Sequence, residues 1–234
     1  MSATDERRVA GAATGGSGRT RRGERALVPD VDVQTYYDRP VVKQPTWKHW
    51  VADYFFLGGL SAGSSLLAFG AGRTGRRKLA RRAKVAGTTA IMAGSAALIA
   101  DLGRPERFAN MLRVAKVTSP LSVGSWVLAA YGPATAVAAG TDVLGVFPRV
   151  GLLAEGVAAA LAPVVATYTA VVVTDTSVPA WHGARGEMPF LFAASAGASA
   201  GGLALVLAPA RENSPARRWA VVGALGEVVD AVAP

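Results

Sequence analysis

Cysteine is absent from all 234 residues, so the chain supplies no thiolate for an iron–sulfur cluster, no Cys-based zinc site and no disulfide. Histidine is nearly as scarce. Only His49 and His182 occur, and a bis-histidine haem b requires two facing ligands at similar depth inside a helical bundle. His49 precedes the first long apolar run and His182 falls in a loop, so the sequence predicts a haem-free chain that holds no metal. Aromatic residues make up 7%, and the basic stretches carry no base-stacking pattern of them. The formal charge of +9 is therefore read without a nucleic-acid partner.

What the chain has instead is apolar length. Hydrophobic residues are 51% of the total and gather into runs at about 50–71, 83–100, 119–140, 150–174 and 188–209, each near the roughly 20 residues that a helix needs to cross a bilayer. A sixth run, from Trp219, carries Glu227 and Asp230 and reads as a short terminal helix or the opening of a longer one. These runs predict an all-α membrane protein, a transmembrane helix bundle over residues 50–232 with five full spans and a sixth partial one, with membrane lipid as its surroundings. Residues 1–35 are rich in Gly, Ala, Thr and Arg, without apolar periodicity or the apolar core of a cleaved signal peptide, and are predicted to form a disordered polar tail. Residues 36–49 combine proline with tyrosine and tryptophan, as suits an interfacial segment at the lipid headgroups.

Loop charge gives direction. The segments 72–84, 141–149 and 210–218 carry eleven Lys and Arg, and those at 101–118 and 175–187 carry five. The positive-inside rule then predicts a multi-pass protein of the cell membrane with the first set cytoplasmic and the N-terminus outside. Within the spans, Leu57–Ser65 and Ala193–Gly202 are dense in Gly, Ala and Ser, which lets helix backbones approach closely.

Ionisable residues in hydrocarbon cost roughly 2.5–3.5 kcal/mol at a helix centre, so each one needs a reason. The predicted topology gathers Asp53, Asp101, Asp175 and His182 towards the outer face, together with Tyr168 near the outer end of span four. A tyrosine hydroxyl, carboxylates and an imidazole at one membrane face suit hydrogen bonding and proton exchange with the oxygens of a quinone. Taken singly, each also reads as a helix-end or interfacial side chain satisfied by solvent, and for Asp101 and Asp175 that reading is the stronger one. Glu155 lies towards the cytoplasmic end of span four, where it either snorkels to the interface or faces the bundle as a proton relay. Pro163, in mid-span, is expected to kink that helix and free a carbonyl. The charged turn Asp101–Phe108 presents Arg104 and Arg107 to lipid phosphate or to a partner's carboxylates.

Three stretches carry a resemblance. Pro40–Trp50 leading into Tyr54–Gly59, Asp101–Pro105 with Arg107, Phe108, Ser119 and Pro120, and Tyr168–Ala170 followed by Val178–His182 are similar to the polysulfide-reductase membrane-subunit family, often called NrfD-like. Together they fall within residues 40–202 in that family's order. The resemblance implies a haem-free, quinone-binding anchor (menaquinone or ubiquinone) for an iron–sulfur, ferredoxin-like subunit and a molybdenum or tungsten bis-pterin catalytic subunit. It implies that Tyr168 hydrogen-bonds the quinone head, that His49 or Asp53 completes the site, and that the turn holding Arg104, Arg107 and Phe108 meets the iron–sulfur subunit. Ala170 stands where the family's pattern usually has glycine, and members usually have eight or more spans. The alternatives that the residues themselves leave are a proton- or ion-translocating subunit, if Glu155, Pro163 and Glu227 line one polar path, and a purely structural anchor.

Overall fold

Alanine, glycine and serine occupy positions where helices of soluble proteins bury leucine and valine, and a computed structural model, which describes residues 49–104, 106, 108–176 and 178–232, shows what that composition builds. Among the described residues eight α-helices follow one another: α1 His49–Arg73, α2 Arg77–Asp101, α3 Phe108–Met111, α4 Pro120–Leu144, α5 Pro148–Thr174, α6 Pro179–Gly183, α7 Met188–Leu207 and α8 Ser214–Val232. There is no strand among the described residues. The predicted tail at 1–35 and all of the predicted interfacial segment except His49 lie outside them, as do Pro105 and Arg107.

Five of these helices, α1, α2, α4, α5 and α7, are long and apolar enough to cross a membrane. They make the all-α bundle that the apolar runs predict. The partial sixth is α8, which carries Arg217, Arg218, Glu227 and Asp230. Consecutive long helices pair as α1 with α2, α4 with α5, and α7 with α8, and α1 also packs on α5 and α7. Helix α1 is thus the central post of the bundle, and any side chain on its inner faces meets several neighbours.

The packing is inverted relative to a soluble protein. Ala62, Ala138, Ala162, Ala170 and Ala200 are buried, while Phe56, Leu153, Phe190, Val206 and Leu225 stand exposed on the outside. In a bilayer no water penalises those outward side chains, so helices associate through close backbone approach instead. Gly63 shows how close: a Cβ there would lie 2.3 Å from the carbonyl oxygen of Ala196. The α7–α8 contact is equally tight, with a Cβ on Gly201 falling 2.4 Å from the amide nitrogen of Ala220 and one on Gly223 falling 2.3 Å from that of Ala198.

Two helices start earlier than the apolar runs suggest. Helix α2 begins at Arg77 rather than near residue 83, so much of the basic segment predicted as loop forms its first two turns. Arg, Lys, Leu and Ala are all good helix formers, and Leu79, Ala80 and Ala83 are buried there while the arginines face outward. The end is also capped from afar, because the Leu79 amide donates to Glu212 Oε2 at 2.9 Å. An acid at a helix N-terminus satisfies an orphan N–H and complements the dipole. Arg82 returns the favour by donating to the Leu207 carbonyl at the end of α7. Helix α8 likewise starts at Ser214 rather than Trp219, with Pro215 in its first turn, where a missing N–H costs nothing.

Candidate functional site

Polar side chains inside the bundle lie at three levels along α1. Ser61 and Ser65 are four residues apart and so share a face, and Tyr54 precedes Ser61 by two turns. Tyr54 meets Tyr168 of α5 hydroxyl to hydroxyl. The Tyr54 ring is 2% exposed, whereas Tyr168 is only half-buried, so Tyr168 is the approachable member of the pair. Each phenol has a single proton. One hydroxyl donates to the other, and the pair keeps one O–H for a further acceptor. Gly124 of α4 makes room for the arrangement, since a Cβ there would lie 2.3 Å from the Tyr168 ring.

The second level is Tyr131 of α4, which is fully buried with its hydroxyl 2.9 Å from Ser61 Oγ and 2.7 Å from Ser65 Oγ. The third sits towards the basic end. Glu155 of α5 lies 3.0 Å from Lys84 Nζ of α2, which is also 3.6 Å from Asp142 of α4. Glu155 is 8% exposed, and Gly72 of α1 lies beside its carboxylate. The sequence reading left Glu155 between snorkelling and facing the bundle, and it faces the bundle. Seven residues of α1 separate Tyr54 from Ser61 and Ser65 from Gly72, or about 10 Å at 1.5 Å per residue. Among the described residues no hydrogen bond or ion pair joins one level to the next.

His49, Asp53, Asp101, Arg104, Phe108, Asp175 and His182 lie at the end of the bundle nearer Tyr54 and Tyr168, but outside that pair's contacts. His49 and Asp53 are exposed on the first turns of α1. His49 stacks at 4.3 Å on Trp50, and Asp53 lines a cleft of about 600 Å³ against α2, with Trp50, Leu57 and Ala97 among its walls. Asp101 is half-buried at the end of α2, and Arg104 and Phe108 are exposed in the connection to α4. His182 is held in place: Arg185 donates to its Nε2 at 2.9 Å, and its Nδ1 lies 3.3 Å from the Thr174 carbonyl. With Nε2 accepting, Nδ1–H donates, so His182 ties α6 to an orphan carbonyl of α5.

Sequence reasoning singled out Tyr168 and Glu155 but neither of their partners. In the sequence Tyr54 has no assigned role beyond the stretch that carries the resemblance, Lys84 reads as loop charge, and nothing marks Tyr131. The recoverable signal was the spacing Tyr54, Ser61, Ser65 within an apolar run, which sets three polar groups along the buried side of one helix. Among the described residues, no three His, Asp or Glu side chains gather as a metal site would require.

Apolar helices with bulky side chains outward, small ones inward and a few satisfied hydroxyl and ionic groups between them define a multi-pass membrane protein. The family described as polysulphide reductase, NrfD, matches residues 40–218. The chain belongs to that family, which makes it a membrane subunit of a redox complex. No curated protein and no solved structure matches it.

Proposed function

We propose that this chain is the haem-free, quinone-reactive subunit of its complex, set in the cell membrane with the N-terminus outside and the basic end cytoplasmic. It links a quinone near the outer face to an iron–sulfur partner, which serves a molybdenum or tungsten bis-pterin catalytic subunit. The observation that carries this reading is the Tyr54–Tyr168 pair. A quinone carbonyl is an acceptor only, and a buried phenol pair with one uncommitted O–H is a donor matched to it. When bound, the quinone supplies two-electron, two-proton chemistry. Tyr168 holds and orients the head through its hydroxyl, and Tyr54 fixes Tyr168 from behind. Asp53 and His49, both open to water at the same end, exchange protons with the medium, with Asp101 and His182 close to that end of the bundle. The connection in which Arg104 and Phe108 are exposed, with Arg107 between them in the sequence, is the docking place for the iron–sulfur subunit.

The test is to purify the complex from membranes through this chain, determine iron, molybdenum and tungsten, and follow quinol-linked electron transfer. An associated iron–sulfur subunit that turns over quinol is the expected result. A preparation that retains its partners but has no quinol-linked activity would overturn the proposal.

A second reading, proton translocation, draws on the buried levels at Tyr131 and Glu155. No hydrogen bond joins adjacent levels among the described residues, so passing protons between them requires bridging water. Glu155→Gln separates the two readings: a quinone site alone leaves electron transfer intact and proton uptake unchanged, whereas a relay through Glu155 loses proton uptake.

A further inference from the structure

A groove of about 780 Å³ runs between α1 and α8 across α7, and it shares no residue with the tyrosine pair or the Glu155 cluster. Its walls are apolar, with Leu66 and Leu67 from α1 and Trp219 and Val222 from α8. Its mouth lies at the basic end of the bundle, where Arg76 and Arg218 line it beside Thr74 and Ser214. The lining on α8 extends from Ser214 to Gly226, about 18 Å of helix. That is close to the roughly 15 Å which one leaflet contributes to a hydrocarbon core about 30 Å thick.

Neither arginine at the mouth is ion-paired among the described residues. Arg76 Nη2 donates to Ser214 Oγ at 3.2 Å. The carboxylate of Glu212 accepts from the Leu79 amide and is ion-paired to neither arginine. Trp219, next to Arg218, supplies the amphipathic ring that favours headgroup depth. A slot one acyl chain deep, open to the side and headed by two arginines, matches a lipid with a tail and a negative phosphate.

We infer that the α1–α8 groove is a binding site for an anionic glycerophospholipid from the leaflet at the basic end, with its phosphate between Arg76 and Arg218 and one acyl chain along Leu67 and Val222. Each arginine favours an anionic headgroup through simple electrostatics, and two together give a preference on the order of tenfold over a zwitterionic one.

The experiment is native mass spectrometry of the full chain, released from detergent after incubation with phosphatidylglycerol or phosphatidylcholine of identical acyl chains. One phosphatidylglycerol retained at about tenfold preference is expected. The double variant Arg76→Gln, Arg218→Gln should bind both lipids alike. Gly70→Leu should release both, because Gly70 lines the groove and a Cβ there enters open space, so the new side chain fills the slot without straining a helix. Unchanged helical circular dichroism and thermal midpoint establish that each variant folds. Inorganic phosphate at millimolar concentration should not displace the lipid, since the acyl chain supplies most of the burial. Equal retention of the two lipids by the unaltered chain overturns the inference, and so does retention by Gly70→Leu. A photo-crosslinking residue at position 70 that captures a protein in membranes, rather than lipid, also overturns it.

Discussion

Lys84 is the shared cation of a partly dry cluster, and its removal has a calculable consequence. Its Nζ lies 3.0 Å from Glu155 and 3.6 Å from Asp142, and the side chains of Lys84, Glu155 and Asp142 are 14%, 10% and 38% exposed. In Lys84→Met the Glu155 carboxylate keeps its burial and loses its counter-charge, and the other member of the cluster, Asp142, is also an anion. Breaking a buried pair from one side costs about 3–5 kcal/mol. Glu155→Gln leaves Lys84 with Asp142 and gives up one charge-assisted bond, about 1.5–3 kcal/mol. Asp142→Asn touches the more exposed and longer pair, about 0–1 kcal/mol. The double variant Lys84→Met, Glu155→Leu removes both charges from the interior and should recover most of the loss seen with Lys84→Met alone. Reversible unfolding in mixed micelles, followed by circular dichroism, measures the series. The reasoning is refuted if Asp142→Asn destabilises as much as Lys84→Met, or if the double variant is no more stable than the single one.

Helix packing and orientation give two further predictions. Gly223→Ala should loosen α8 from α7 and lower the thermal midpoint, because its Cβ would meet the backbone of Ala198 at 2.3 Å. Gly202→Ala, with nothing within 4 Å of its Cβ, should be neutral or stabilising by up to about 1 kcal/mol through helix propensity. Thr74→Cys and Gly183→Cys, introduced singly, test the topology with a membrane-impermeant thiol reagent on intact cells: position 183 should label and position 74 should not, and the reverse pattern would move the quinone site to the other face.

The bundle was legible because its two strongest signals are local. Apolar length marks each span, and the Gly, Ala and Ser content of α1 and α7 announces backbone contact, as Gly63 against Ala196 bears out. Helix starts were less legible, since hydropathy drops wherever arginine appears although Arg77–Lys84 is helical and partly buried. Lys84 shows the physical reason. Counting charge by segment treats all lysines alike, but Ala80, Lys84, Gly87 and Ile91 recur at helical spacing on the inward face of α2, so this one lysine points into the bundle. Tyr168 could be picked out by its position near a helix end, but its partner lies 114 residues away. Nothing in either local sequence specifies that meeting. It follows from how α1 and α5 pack.

The central claim is that the Tyr54–Tyr168 pair presents a hydrogen bond to a quinone, and the most direct measurement is quinol-linked electron transfer by membranes carrying Tyr168→Phe. The substitution keeps the ring against Gly124 and removes the hydroxyl. The account predicts an intact complex, retained iron–sulfur partner and a loss of quinol affinity of about 1 kcal/mol, on the order of fivefold, with a smaller loss for Tyr54→Phe. Wild-type affinity and turnover in Tyr168→Phe, in a fully assembled complex, would contradict it.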